Sequence, residues 1–133
     1  MTVQQLSVFV ENKQGSLSKI TELLAAEKID LRALSIADTQ DFGILRLIVD
    51  DTVRARDVLR DNGILVQITE VLRVKLPDRP GALSEVLGVL DKAGINVEYL
   101  YAFLSQATPD AAYVVLRVGD NDAAAKVLAK ANL

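Results

Sequence analysis

Asp78-Arg79-Pro80-Gly81-Ala82-Leu83-Ser84 recurs in looser form 66 residues earlier, as Asn12-Lys13-Gln14-Gly15-Ser16-Leu17-Ser18. The same shift carries Leu6, Val8 and Val10 onto Leu72, Val74 and Leu76, Leu24 onto Leu90, and Ile29-Asp30-Leu31 onto Ile95-Asn96-Val97. After residue 40 the offset grows to 69, a three-residue insertion in the second copy. Leu45, Leu47 and Val49 then fall on Val114, Leu116 and Val118, and Val58-Leu59 on Val127-Leu128. A single change of register preserves the whole pattern. The 133 residues are therefore read as two copies of one small module, expected at residues 1–68 and 69–133.

Each copy reads strand, helix, strand, strand, helix. Leu6, Val8 and Val10 alternate with Ser7, Phe9 and Glu11, the period of a strand with one buried face. Leu17, Ile20, Leu23 and Leu24 share a helical stripe, which predicts a helix from Ser16 to about Lys28, with Ser16 as N-cap and Lys28 suited to the C-terminal end. Strands are expected over about residues 31–39 and 43–50, turning at Gln40-Asp41-Phe42-Gly43. A helix follows over about 52–62, ended by Asn62-Gly63, then a short strand Ile64–Ile68 that runs almost directly into the next at about 71–77. The second copy gives a helix over about 82–93 ended by Gly94, strands over about 96–106 and 111–119, and a helix over about 121–131. This order predicts an α+β fold: two tandem ferredoxin-like βαββαβ modules with antiparallel sheets and helices on one face. The sequence stops at Leu133, so the second module lacks its last strand. Either the chain has been trimmed there, or another segment covers that sheet edge, since bare edges invite aggregation.

Composition narrows the function. Half of the residues are hydrophobic but only 5% are aromatic, so the core must be aliphatic. A formal charge of −3, spread evenly over both copies, argues against nucleic acid, whose affinity rests on basic residues, and against an anionic membrane. An RNA-binding reading of the same topology fails as well, because the outward positions Ser7, Phe9, Arg73, Lys75, Ile44, Arg46, Tyr113 and Val115 lack the pair of base-stacking aromatics. With no Cys and no His, thiol nucleophiles, disulfides, Cys/His zinc sites and His-based acid–base schemes drop out. Asp50-Asp51 and Asp120-Asn121-Asp122 read as helix starts rather than metal sites. No nucleotide-binding or hydrolase motif is present, and no apolar run approaches the ~20 residues of a membrane span. A cytoplasmic location, no catalytic residues, no metal and no cofactor are the expectations.

Lys75-Leu76-Pro77-Asp78-Arg79-Pro80-Gly81-Ala82-Leu83, ending a strand and opening a helix, resembles the D-R-P-G-x-L signature of ACT domains, small regulatory modules of amino-acid metabolism. Leu90-Asp91-Lys92-Ala93-Gly94-Ile95-Asn96-Val97 is similar to that family's helix-to-strand junction. The first copy departs from the pattern, with Gln14 in place of the proline and Glu27-Lys28-Ile29-Asp30-Leu31 lacking the junction glycine. The resemblance spans about residues 3–131 and extends to small stand-alone tandem ACT proteins. It implies a regulatory protein that binds an amino acid.

The residues themselves point to the loop before each first helix as the ligand site. Free N–H groups and the helix dipole at a helix start suit a carboxylate, and Gly15 and Gly81 let the backbone approach it with no Cβ in the way. Candidate ligand-binding residues are Asn12, Lys13, Gln14, Gly15, Ser16 and Leu17, and Asp78, Arg79, Pro80, Gly81, Ala82 and Leu83. Asn12 and Asp78 could meet a ligand ammonium group or merely cap the helix. The resemblance places the ligand where this loop meets a strand of a neighbouring module or chain, which adds the stretch Ala37-Asp38-Thr39 and the aromatics Tyr99, Tyr101 and Phe103. Asp38, Tyr99 and Tyr101 are accordingly interface residues and possible ligand contacts. Both faces of the strands carrying Tyr99, Tyr101, Phe103 and Tyr113 are largely apolar, so a homodimer is expected. The competing reading is a structural or interaction protein, acting as a dimer or as the regulatory subunit of an amino-acid biosynthetic enzyme, whose loops bind nothing.

Overall fold

Apolar alternation at period two and helical stripes at period 3.6 give ten elements in chain order. They are β1 (Thr2–Glu11), α1 (Ser16–Ala26), β2 (Leu31–Asp38), β3 (Phe42–Val49), α2 (Thr52–Asp61), β4 (Val66–Pro77), α3 (Ala82–Lys92), β5 (Val97–Ala102), β6 (Ala111–Val118) and α4 (Asn121–Lys130). The computed structural model describes residues 1–38, 40–104 and 110–133. Thr39 and the last two positions of the strand expected over 96–106 lie outside the described residues. The short strand expected at Ile64–Ile68 and the one expected from residue 71 are a single strand, β4. No Gly or Pro interrupts Val66–Leu76, so nothing breaks the ladder between them.

The described residues form two compact units: Gln4–Glu70, and Val71–Leu133 together with Met1–Val3. In the first, β3 lies between β2 and β1, pairing antiparallel with each. The start of β4 is reached on the far side of β1, where Phe9 N–H donates to Leu65 O at 3.0 Å. In the second unit β6 pairs antiparallel with β4 on one side and β5 on the other. On the side of β4 away from β6 lies the start of the chain, for Arg73 N–H donates to Met1 O at 2.6 Å.

The cores are copies of each other. Leu6, Val8, Val10, Ile20, Leu24, Leu45, Leu47, Val49, Ala55 and Leu59 fill the first. Leu72, Val74, Leu76, Val86, Leu90, Val114, Leu116, Val118, Ala124 and Leu128 fill the second, in the same order along the chain. Full burial of each aliphatic side chain contributes about 1.5–3 kcal/mol, which a core without tryptophan must draw from many small contributions. Both units also bulge at one place, between Leu31 and Ala33 and between Val97 and Tyr99. The extra residue changes the alternation, so Leu31 and Leu34 face one side, as do Val97 and Leu100.

Candidate functional site

β1 ends at Glu11 and the chain turns through Asn12–Gly15 into α1. The turn is tied down from within its own unit: Asn12 N–H donates to Asp41 O at 2.9 Å, and the Asn12 amide reaches Gln40 O at 3.4 Å. Asp78 N–H is held by Asp110 O at 2.9 Å in the second copy. Gly15 and Gly81 both sit at φ 87°, in the left-handed region, and an added Cβ at either would meet no atom within 4 Å. These glycines are therefore required by backbone geometry, with open space where a side chain would be.

Ser16 is not the N-cap of α1. Gly15 holds that position, because the left-handed turn delivers the chain into the helix one residue earlier. The N-cap of α1 is Gly15 and that of α3 is Gly81, so no cap hydrogen bond comes from a side chain at that position. The second helix of each unit behaves oppositely. Asp51 accepts from Arg54 N–H at 3.2 Å and Asp120 from Ala123 N–H at 3.0 Å. The fold thus places a capping carboxylate at the N-cap of α2 and α4 and a glycine at the N-cap of α1 and α3.

A cavity of about 540 Å³ opens against the first of these loops, within the size range of small-molecule sites. Lys13, Gln14, Gly15 and Ser16 line it; Asn12 and Leu17 do not. Its other walls come from the end of β1 (Phe9, Val10, Glu11), from Lys19 and Ile20 of α1, from Phe42 of β3, and from Asn62–Leu65 between α2 and β4. Three apolar lining side chains face solvent, Phe9 at 52%, Phe42 at 55% and Leu65 at 72% exposed, beside the exposed polar groups of Glu11, Lys13, Gln14, Lys19 and Asn62. Lys13 Nζ lies 3.0 Å from Glu11 Oε2. Sequence reasoning missed Phe9, Lys19, Phe42 and Leu65 as site residues. The signal was available for the aromatics, since Phe9 falls on the outward face of β1 where an apolar group has no core to join.

The second loop is furnished differently. Arg79 Nη2 lies 2.9 Å from both carboxylate oxygens of Glu85 in the first turn of α3. Pro80 and Gly81 are exposed, Ala82 is buried in the second core and Leu83 packs against it. Asp38 is exposed at the end of β2 opposite Gly43. Tyr99 and Tyr101 stack with ring centroids 6.5 Å apart on β5. None of the three lines the cavity at the first loop. Phe103 meets Tyr113 at 5.9 Å, and the Arg73 guanidinium lies 4.9 Å from the Tyr113 ring centroid. Among the described residues no group of three His, Cys, Asp or Glu is placed to hold a metal ion, and no helix is long and apolar enough to cross a membrane.

Two glycine-hinged loops, each joining the first strand of an α+β unit to its first helix and each repeated with its core, are the framework the ACT resemblance implies. The sequence matches the profile of the ACT domain pair across residues 1–133. The chain belongs to that family. A solved protein of Bacteroides thetaiotaomicron is 45% identical, with TM-score 0.91, over 99% of this ACT pair and 90% of that chain. The regulatory subunit of aspartate kinase from Thermus thermophilus, in a ligand-free form, superposes with TM-score 0.68 at 13% identity, covering 98% of this chain and 97% of its own. That of Thermus flavus gives 0.66 at 14%, covering 100% and 96%. At such identities the likeness to both Thermus proteins is one of fold. No curated protein matches the sequence.

Proposed function

We propose that this ACT pair is a non-catalytic regulatory protein that binds an amino acid at its strand-to-helix loops. The observation that carries the reading is the cavity of about 540 Å³ set against the glycine-capped start of α1, lined by Lys13 and Lys19 and by the exposed Phe9, Phe42 and Leu65. A carboxylate fits the positive end of the helix dipole beside the Lys19 ammonium group, and the exposed apolar side chains suit the rest of a small molecule. Regulation follows if the ligand prefers one of two packings of the protein, and the effect is bounded by that difference in affinity. Self-association as a cytoplasmic homodimer, and a partner among amino-acid biosynthetic enzymes, belong to the same reading. The Thermus relatives are described as regulatory subunits of such an enzyme.

Titration calorimetry of the intact chain against the twenty amino acids tests it, with a melting-temperature screen alongside. One or a few should release heat and raise the melting temperature, since ligand at about 100 times Kd adds roughly 2.7 kcal/mol to stability. Silence across the panel from a stable dimer would favour the interaction-protein reading instead.

A further inference from the structure

The two halves share a backbone, but their loops carry opposite chemistry. The equivalences come from matching ladders and turns. Phe9 sits opposite Ile44 as Lys75 sits opposite Tyr113, and Glu11 opposite Phe42 as Pro77 opposite Ala111. Lys19 N–H donates to Gly15 O at 3.0 Å as Glu85 N–H does to Gly81 O at 3.0 Å. Three exchanges follow: Lys19 in the first unit stands where Glu85 stands in the second, Phe9 where Lys75 stands, and Phe42 where Ala111 stands.

In the second unit, the protein supplies its own anion at the helix start. Glu85 lies in the first turn of α3, and Arg79 holds both of its oxygens at 2.9 Å. A ligand carboxylate arriving there would meet a like charge. In the first unit, α1 has no acidic residue in its first turn, and Lys19 makes no ion pair among the described residues. Lys13 and Glu11, a pair of opposite charges 3.0 Å apart, both line the cavity. Phe9, Phe42 and Leu65, all more than half exposed, line it too. The cavity lining thus carries charges of both signs together with three exposed apolar side chains.

We infer that the two loops are functionally unequal: the first-unit cavity takes one α-amino acid with an apolar side chain, and the second loop takes none. This rests on the amino-acid reading above and narrows it. Lys19 and the start of α1 receive the carboxylate, Glu11 receives the ammonium group, and Phe9, Phe42 and Leu65 cover the side chain. A charged or strongly hydrated side chain would have to shed water against those three side chains without a partner, which disfavours it.

The test is titration calorimetry on the intact chain with leucine, isoleucine, valine, methionine and phenylalanine, against aspartate, lysine and serine. Heat from members of the first group, at one molecule per chain, is expected. Lys19→Glu, which gives the first loop the charge of the second, should weaken binding at least tenfold, about 1.4 kcal/mol. Phe42→Ala, at an exposed position, should weaken it while leaving the melting temperature of the free protein nearly unchanged. Glu85→Ala should leave affinity and stoichiometry as they are. Two molecules per chain, or loss of binding on Glu85→Ala with Lys19→Glu unaffected, would overturn the inequality of the loops. Binding of only aspartate, lysine or serine would overturn the assigned side-chain class while the amino-acid reading stands. Silence toward all twenty amino acids removes both.

Discussion

Lys28 shows how much one residue can conceal. It was expected near the end of a helical stripe, yet α1 stops at Ala26 and Lys28 lies beyond the cap at φ 55°, in the left-handed region. Its equivalent in the second unit is Gly94 at φ 74°. Both positions close the same motif: Lys28 N–H donates to Ala25 O and Ile29 N–H to Leu24 O, as Gly94 does to Asp91 and Ile95 to Leu90. The missing junction glycine of the first copy therefore changes the residue without changing the backbone. An L-residue in that conformation costs about 1–2 kcal/mol, offset in part by the backbone freedom a glycine would lose and by the lysine charge near the helix C-terminus. Lys28→Gly should raise unfolding stability by roughly 0.5–1 kcal/mol in urea denaturation. A loss of stability would mean that the charge, not the backbone, decides at this position.

At the level of elements, the repeat made most of the structure legible. Core faces, strand order and the second helices follow from residues that recur at offsets of 66 and 69. Helix starts were read less well. Ser16 resembles an N-cap, and only the left-handed Gly15 reveals that the turn hands over one residue sooner. Asp51 and Asp120 belong to the legible part, since an acidic residue before a helical run is a capping pattern and both do cap. Asp51→Ala and Asp120→Ala should each cost about 1 kcal/mol, read by the shift of the denaturation midpoint at unchanged slope. The cavity was half legible. Its loop followed from glycine and helix-start chemistry, while its exposed apolar lining depends on Phe9, Phe42 and Leu65 converging from three separate stretches, which no spacing along the chain displays.

For the molecule as a whole, the order of elements left one edge unexplained, and no local pattern could fill it. Met1–Val3 lie ahead of the alternation that begins at Leu6, and their membership in the second unit depends on pairing over 70 residues away. The consequence is a specific dependence. Arg73 N–H has its acceptor in Met1 O, so removing Met1–Val3 returns that part of β4 to an open edge with an unpaired donor. The first core, drawn from Leu6 to Val66, contains none of the deleted residues. A chain beginning at Gln4 should therefore lose hydrogen-exchange protection at Arg73 and across Leu72–Leu76, whereas the amides of Leu45 and Leu47 should keep theirs. It should also self-associate more readily as concentration rises, through the exposed edge. Uniform loss of protection in both units would show that the first three residues support the whole chain, and unchanged protection at Arg73 would show that its amide does not rely on Met1.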